Sequence, residues 1–201
     1  MVAVPPRVLP RLFCLVSSDD DLSLLPRLAG VGIDGFQVRD KGATTRELIA
    51  LTTRIRSAVG SACLVVDDRI DVALAAGADG VHLGAEDLPV AAARRLGPDL
   101  LIGATCRGRG AVQVAREAGA DYAGFGPIYA SASKSGLPVP LGPGAIAEAS
   151  DVLPLIAIGG IDAENAGGVR GAGAHGVAVI GAIWRQPDPV QAAKELVASV
   201  A

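Results

Sequence analysis

Gln37, Arg39 and Lys41 alternate with Val38 and Asp40 in one short segment. Alternate side chains of an extended chain share a face, so an amide and two cations would meet one ligand. Two other segments supply carboxylates, Asp67-Asp68-Arg69 and Glu86-Asp87. Unpaired carboxylates brought together repel one another. A divalent cation carrying a phosphorylated ligand would reconcile them with Arg39 and Lys41. Magnesium is commonly held by one or two carboxylates, with phosphate oxygens and water completing its octahedron. The alternative for Asp68 and Asp87 is helix N-capping, a role that Asp favours, and both readings stand at this level.

Further along, Thr105-Cys106-Arg107 offers a hydroxyl, a thiol and a guanidinium, and Cys106 is the one cysteine placed to meet a ligand. The stretch from Gly126 to Gly136 sets Ser131, Ala132 and Ser133 before Lys134, the only lysine between Lys41 and Lys194. That position suits a phosphate partner. Gly159-Gly160 and Ile180-Gly181 end two apolar runs, where backbone N–H groups and a helix N-terminus can cradle a second phosphate. Two anion sites imply two phosphorylated ligands. His82 and His175 read as satisfied structural imidazoles, Trp184 as a packing aromatic, and Cys14 and Cys63 as small core residues.

These residues need a scaffold that gathers loop after loop to one place. Three segments repeat a phrase: Ala76-Gly77-Ala78-Asp79-Gly80, Ala118-Gly119-Ala120-Asp121-Tyr122 and Ala172-Gly173-Ala174-His175-Gly176, with a fainter copy from Ala29. Each closes a helical pattern with a glycine free to turn left-handed and leads into a short apolar run, the signature of a parallel strand buried on both faces. Further strand candidates lie at Leu12 to Val16, Cys63 to Val66, Leu100 to Ala104 and Leu155 to Ile158. About eight strand-plus-helix units result, which predicts a single-domain α/β (β/α)₈ barrel over residues 1–201. An open doubly wound sheet is the alternative. Pro138 to Pro143 reads as a long loop after the sixth strand.

Composition narrows the function. The net charge of −3 leaves no basic surface for nucleic acid or anionic lipid. Mean hydropathy is +0.43, yet Gly, Pro and Asp interrupt each apolar run short of a membrane helix. Three cysteines without C-x-x-C spacing argue against a disulfide framework or zinc site. The first residues lack the apolar core and cleavage site of a secretion signal, so the cytoplasm is the expected location. Small molecules are the expected partners, and homo-oligomerisation is left open.

As an ordered set, Gln37-Val38-Arg39-Asp40-Lys41, Asp67-Asp68-Arg69, Asp79 to Asp87, Gly126-Pro127-Ile128, Ser131 to Lys134 and Ile158-Gly159-Gly160-Ile161 resemble the thiamine phosphate synthase family. The resemblance implies a (β/α)₈ barrel that joins aminopyrimidine-methyl diphosphate to a hydroxyethyl-thiazole phosphate, with release of pyrophosphate. It implies Asp68 and Asp87 as Mg²⁺ ligands and Arg39, Lys41 and Lys134 as diphosphate holders. Thr105 takes the family's serine position beside the pyrimidine, Ser131 and Ser133 stand for threonines near the thiazole, and Gly160, Ile180 and Gly181 form the phosphate cradle. Gln37, Val38, Asp40, Asp67 and Ala132 fall within the same substrate motifs. Asp67 replaces the family's Asn and Ala85 its Gln. The related thiazole tautomerases, an alternative, are expected to carry a histidine where this chain has Arg107. A non-catalytic sensor of thiazole or thiamine phosphate and a phosphosugar isomerase are further options.

Overall fold

The structure, a computed structural model, describes residues 8–131 and 138–201. Eight parallel strands close in sequence order into a barrel: β1 Leu12–Val16, β2 Gly35–Val38, β3 Cys63–Asp67, β4 Gly80–Leu83, β5 Leu101–Cys106, β6 Tyr122–Phe125, β7 Leu155–Ile158 and β8 Gly176–Val179. Around it lie α1 Leu25–Gly30, α2 Thr45–Val59, α3 Ile70–Ala76, α4 Val90–Leu96, α5 Arg109–Glu117, α6 Gly144–Ala149, α7 Ala166–Gly171, the single turn α8 Gly181–Trp184 and α9 Pro189–Val200. β1 pairs with β8, which excludes the open sheet. Among the described residues no helix is long and apolar enough to cross a membrane.

Strand alternation sorts the side chains into two cores. Phe13, Leu15, Val65, Leu101, Tyr122, Ile156 and Ala178 fill the barrel interior. Their neighbours Cys14, Val16, Phe36, Val38, Leu64, Val66, Val81 and Ile102 face the helices. Burial of both strand faces explains why the apolar runs in the sequence are unbroken.

The repeated phrase is a device for closing the lower end of the barrel. Gly77, Gly119 and Gly173 have φ of 65°, 96° and 107° and end α3, α5 and α7 at no Cβ cost. The Asp that follows then holds the start of the preceding strand. Asp79 Oδ2 accepts from Leu64 N–H at 2.8 Å and pairs with Arg56. Asp121 Oδ2 accepts from Ile102 N–H at 2.7 Å and from Arg94 Nη2 at 2.6 Å. Asp34, in the faint copy, accepts from Arg11 and Leu12 N–H, both at 2.9 Å. His175 takes the Asp place in the last copy and reaches Leu9 O at 3.0 Å, a structural role as expected.

Candidate active site

The loops that follow the strands surround a cavity of about 730 Å³ at the opposite, C-terminal mouth. Gln37, Arg39, Lys41, Asp67, Asp68, Asp87, Thr105, Ser131, Gly160, Ile180 and Gly181 all line it. Ala132, Ser133 and Lys134 lie outside the described residues. Val38 and Asp40 are placed elsewhere. Val38 has the opposite parity to Gln37 and is buried between barrel and helices. Asp40 accepts from the hydroxyl of Ser18 and from its N–H at 3.2 Å, tying the loop after β2 to the one after β1. The Ser18 hydroxyl holds its carboxyl below the usual range.

Asp67 is buried and its two oxygens are both engaged by donors. Oδ1 accepts from Gln37 Nε2 at 2.7 Å, and Oδ2 faces Arg39 Nε at 3.0 Å. The extra carboxylate is therefore matched by a cation one strand away. Asp68 follows with φ of +65°, the one described non-glycine residue in the left-handed region, a conformation that costs on the order of 1–3 kcal/mol and concentrates at functional sites. Its N–H donates to His82 O at 2.8 Å, and its carboxylate lies 3.5 Å from Lys41 Nζ.

Neither Asp68 nor Asp87 caps a helix. Arg69 precedes α3 and Pro89 precedes α4, both without a side-chain cap. Asp87 instead turns back, its Oδ2 accepting from Gly84 N–H at 2.6 Å. Burial pushes the Asp68 carboxyl up to about 6, helped by Asp67 and Asp87 and opposed by Lys41. Among the described residues, this side of the mouth brings the carboxylates of Asp67, Asp68 and Asp87 together with the cations of Arg39 and Lys41. Among the described residues no group of three or more His, Cys, Asp or Glu side chains converges as a metal cage. This sparse oxygen set fits a magnesium ion that keeps phosphate and water ligands.

On the far side of the mouth, Thr105 Oγ1 lies 3.0 Å from His82 Nε2. His82 is a satisfied imidazole, as expected, but it also lines the cavity. Cys106 does not: strand parity turns it into the helix-facing core, where burial raises its thiol to about 11. Arg107 lines the mouth and its Nη2 donates to Val139 O at 2.9 Å, holding the chain that follows the loop after β6. Gly159 and Gly160 have φ of 98° and 65°. A Cβ on Gly160 would stand 2.4 Å from Ala130 O, so the loops after β6 and β7 can touch only across glycine. Trp184 Nε1 donates to Leu15 O at 2.7 Å, which makes the tryptophan a packing residue. The residue that sequence reasoning missed is Tyr122, buried at the start of β6 and 3.2 Å from His82 Nδ1. The glycine-rich spacing of β5 and β6 was its only trace in the sequence.

Comparison with known proteins agrees with this geometry. A family described as thiamine monophosphate synthase matches residues 11–183. A thiamine-phosphate synthase of Chlorobium luteolum is 45% identical over 196 residues, covering 93% of this chain and 92% of its own. A bifunctional thiamine biosynthesis protein of Symbiobacterium thermophilum is 46% identical over 94% of this chain, which spans 40% of that longer protein. Among solved structures, thiamine phosphate pyrophosphorylase from Pyrococcus furiosus superposes with a TM-score of 0.86 at 32% identity, over 94% of this chain and 95% of the other. With the barrel, the ordered motifs and a likeness over most of both chains in agreement, the chain belongs to the thiamine monophosphate synthase family.

Proposed function

We propose that this chain is a magnesium-dependent thiamine-phosphate synthase that joins an aminopyrimidine-methyl diphosphate to a hydroxyethyl-thiazole phosphate by dissociative substitution. The observation that carries the reading is the meeting of Arg39 and Lys41 with Asp67, Asp68 and Asp87 at one mouth, where burial first, and then the Asp67 and Asp87 carboxylates, push Asp68 up to about 6. Asp68 and Asp87 are the residues that would hold the ion. When bound, a divalent cation supplies charge neutralisation for a leaving diphosphate.

The rest of the chemistry falls to the chain. Arg39, braced through its Nε by Asp67, keeps its outer guanidinium edge for phosphate oxygens. Lys41 adds a mobile point charge. As the bond from the pyrimidine methylene to oxygen breaks, negative charge grows on the departing diphosphate, and these fixed cations stabilise it. The methylene cation left behind is stabilised by the pyrimidine ring and captured by the neutral thiazole nitrogen. That nitrogen carries no proton, so the new bond requires no general base, and the imidazole at the mouth serves as a hydrogen-bonded bracket instead. Gly160, Ile180 and Gly181 offer backbone groups for the thiazole's phosphate, with Ser131 beside them, and Lys134 is assigned to the diphosphate. The tautomerase alternative needs an acid–base residue at Arg107, whose guanidinium is occupied with Val139 O.

Asp68→Asn and Asp87→Asn test the reading. Each should lower turnover on the order of 100-fold or more, because several kcal/mol of charge stabilisation are lost, with the melting temperature retained. Full turnover in both folded variants would remove the metal site.

A further inference from the structure

Thr105 is backed by two side chains, His82 and Tyr122. Its Oγ1 lies 3.0 Å from His82 Nε2, and the other ring nitrogen, Nδ1, lies 3.2 Å from the Tyr122 hydroxyl. Space for this chain is cut into the barrel by two glycines. A Cβ on Gly103 would stand 2.1 Å from Tyr122 Cζ, and one on Gly124 would stand 2.5 Å from His82 Cε1. The Tyr122 ring is stacked on Phe13 with centroids 6.0 Å apart and tilted at 33° to the imidazole.

The proton positions follow from burial. Tyr122 is 1% exposed, and burial raises its phenol well above the ordinary value, so it stays a neutral O–H. A buried O–H that lacks an acceptor costs about 1–3 kcal/mol. Among the described residues the Tyr122 hydroxyl has one hydrogen-bond partner, His82 Nδ1. The phenol therefore donates and Nδ1 accepts. In a neutral imidazole the proton then sits on Nε2, because the bond made by one nitrogen sets the state of the other. Nε2–H donates to Thr105 Oγ1. The threonine's own hydrogen is left for the cavity that Thr105 lines.

We infer that Tyr122 and His82 are positioning residues that commit Thr105 to act as a hydrogen-bond donor toward a ligand lone pair in the mouth. That this lone pair belongs to the pyrimidine diphosphate rests on the synthase reading; the tautomer does not. The device reaches across β4, β5 and β6 and would give the hydroxyl a fixed sense before any ligand arrives, which lowers the ordering cost at the moment of reaction.

The test has two arms. In protein labelled with ¹⁵N-histidine at pH 8, the chain's two imidazoles are told apart by the loss of one in His82→Gln, and His82 should carry its proton on Nε2 with Nδ1 bare. Tyr122→Phe, which keeps the ring stack, should shift that tautomer. In the kinetic arm Tyr122→Phe should lower kcat about tenfold, the worth of one directed hydrogen bond, with KM for the thiazole phosphate unchanged. Thr105→Val should lose at least as much, Thr105→Ser should stay within about threefold of the parent, and Tyr122→Phe combined with Thr105→Val should be no worse than Thr105→Val alone. A proton on Nδ1 in the parent protein, or additive losses in the double variant, would overturn the inference. If the parent makes no thiamine phosphate, the synthase reading fails while the labelled spectrum still decides the tautomer.

Discussion

Replacing Gly124 by Ala tests whether the barrel interior is shaped to hold His82. Gly124 sits in mid-β6, in register with Thr105 on β5 and Ile156 on β7, so its backbone is held from both sides. The new Cβ would stand 2.5 Å from His82 Cε1 and 3.0 Å from Nε2, where 3.4–4 Å is ordinary contact. The imidazole must yield by nearly an ångström, although both its nitrogens are tethered. Overpacking of this kind costs about 1–3 kcal/mol, which for a chain of this length is roughly 2–12 °C in Tm. Displacement of the ring from Thr105 should also lower kcat about tenfold. Gly168→Ala is the matched control. It lies inside α7 with nothing within 4 Å of the added Cβ, and should stabilise by about 0.5–1 kcal/mol. Thermal melts and steady-state kinetics on both variants suffice. A Gly124→Ala protein that melts with the parent and turns over at full rate would refute the packing argument.

Three further outcomes are expected. Asp68, raised from 3.8 to about 6 in the folded protein, must lose its proton before holding a cation, so Mn²⁺ affinity read by electron paramagnetic resonance should rise about tenfold from pH 5 to 7 and then level off. Because the folded state binds that proton more tightly than the unfolded chain, the metal-free protein should lose stability as pH rises from about 4 to 6; equal affinity at pH 5 and 7 would contradict both statements. Asp79→Ala removes the acceptor for Leu64 N–H and the partner of Arg56, and should destabilise by about 1–3 kcal/mol in urea titrations with kinetic constants kept. Cys106→Ala should leave kcat and KM unchanged, since the thiol is buried away from the mouth and raised to about 11; loss of activity without loss of stability would return it to the site.

Much of the frame was legible because it depends on local chemistry. Unbroken apolar runs located Leu12–Val16 and Leu155–Ile158 with the observed bounds, and the phrase glycines took the left-handed conformation the pattern required. Alternation alone put Gln37 at the mouth, and the same parity excludes Val38 and Cys106, which motif membership and loop position had drawn in. The capping roles of Asp68 and Asp87 failed because α3 begins one residue, and α4 two residues, later than a cap would require. What the sequence hid is long-range. Tyr122 stands 40 residues from His82, and Asp67 finds Arg39 across a strand pair. Pairings of that kind exist only once the barrel closes.

One coupled reaction tests the synthase assignment most directly. Purified protein given the pyrimidine diphosphate and the thiazole phosphate should release pyrophosphate and form thiamine phosphate in equal amounts with magnesium, and neither product with EDTA. Pyrophosphate without thiamine phosphate, or no product from protein shown to be folded, would contradict it.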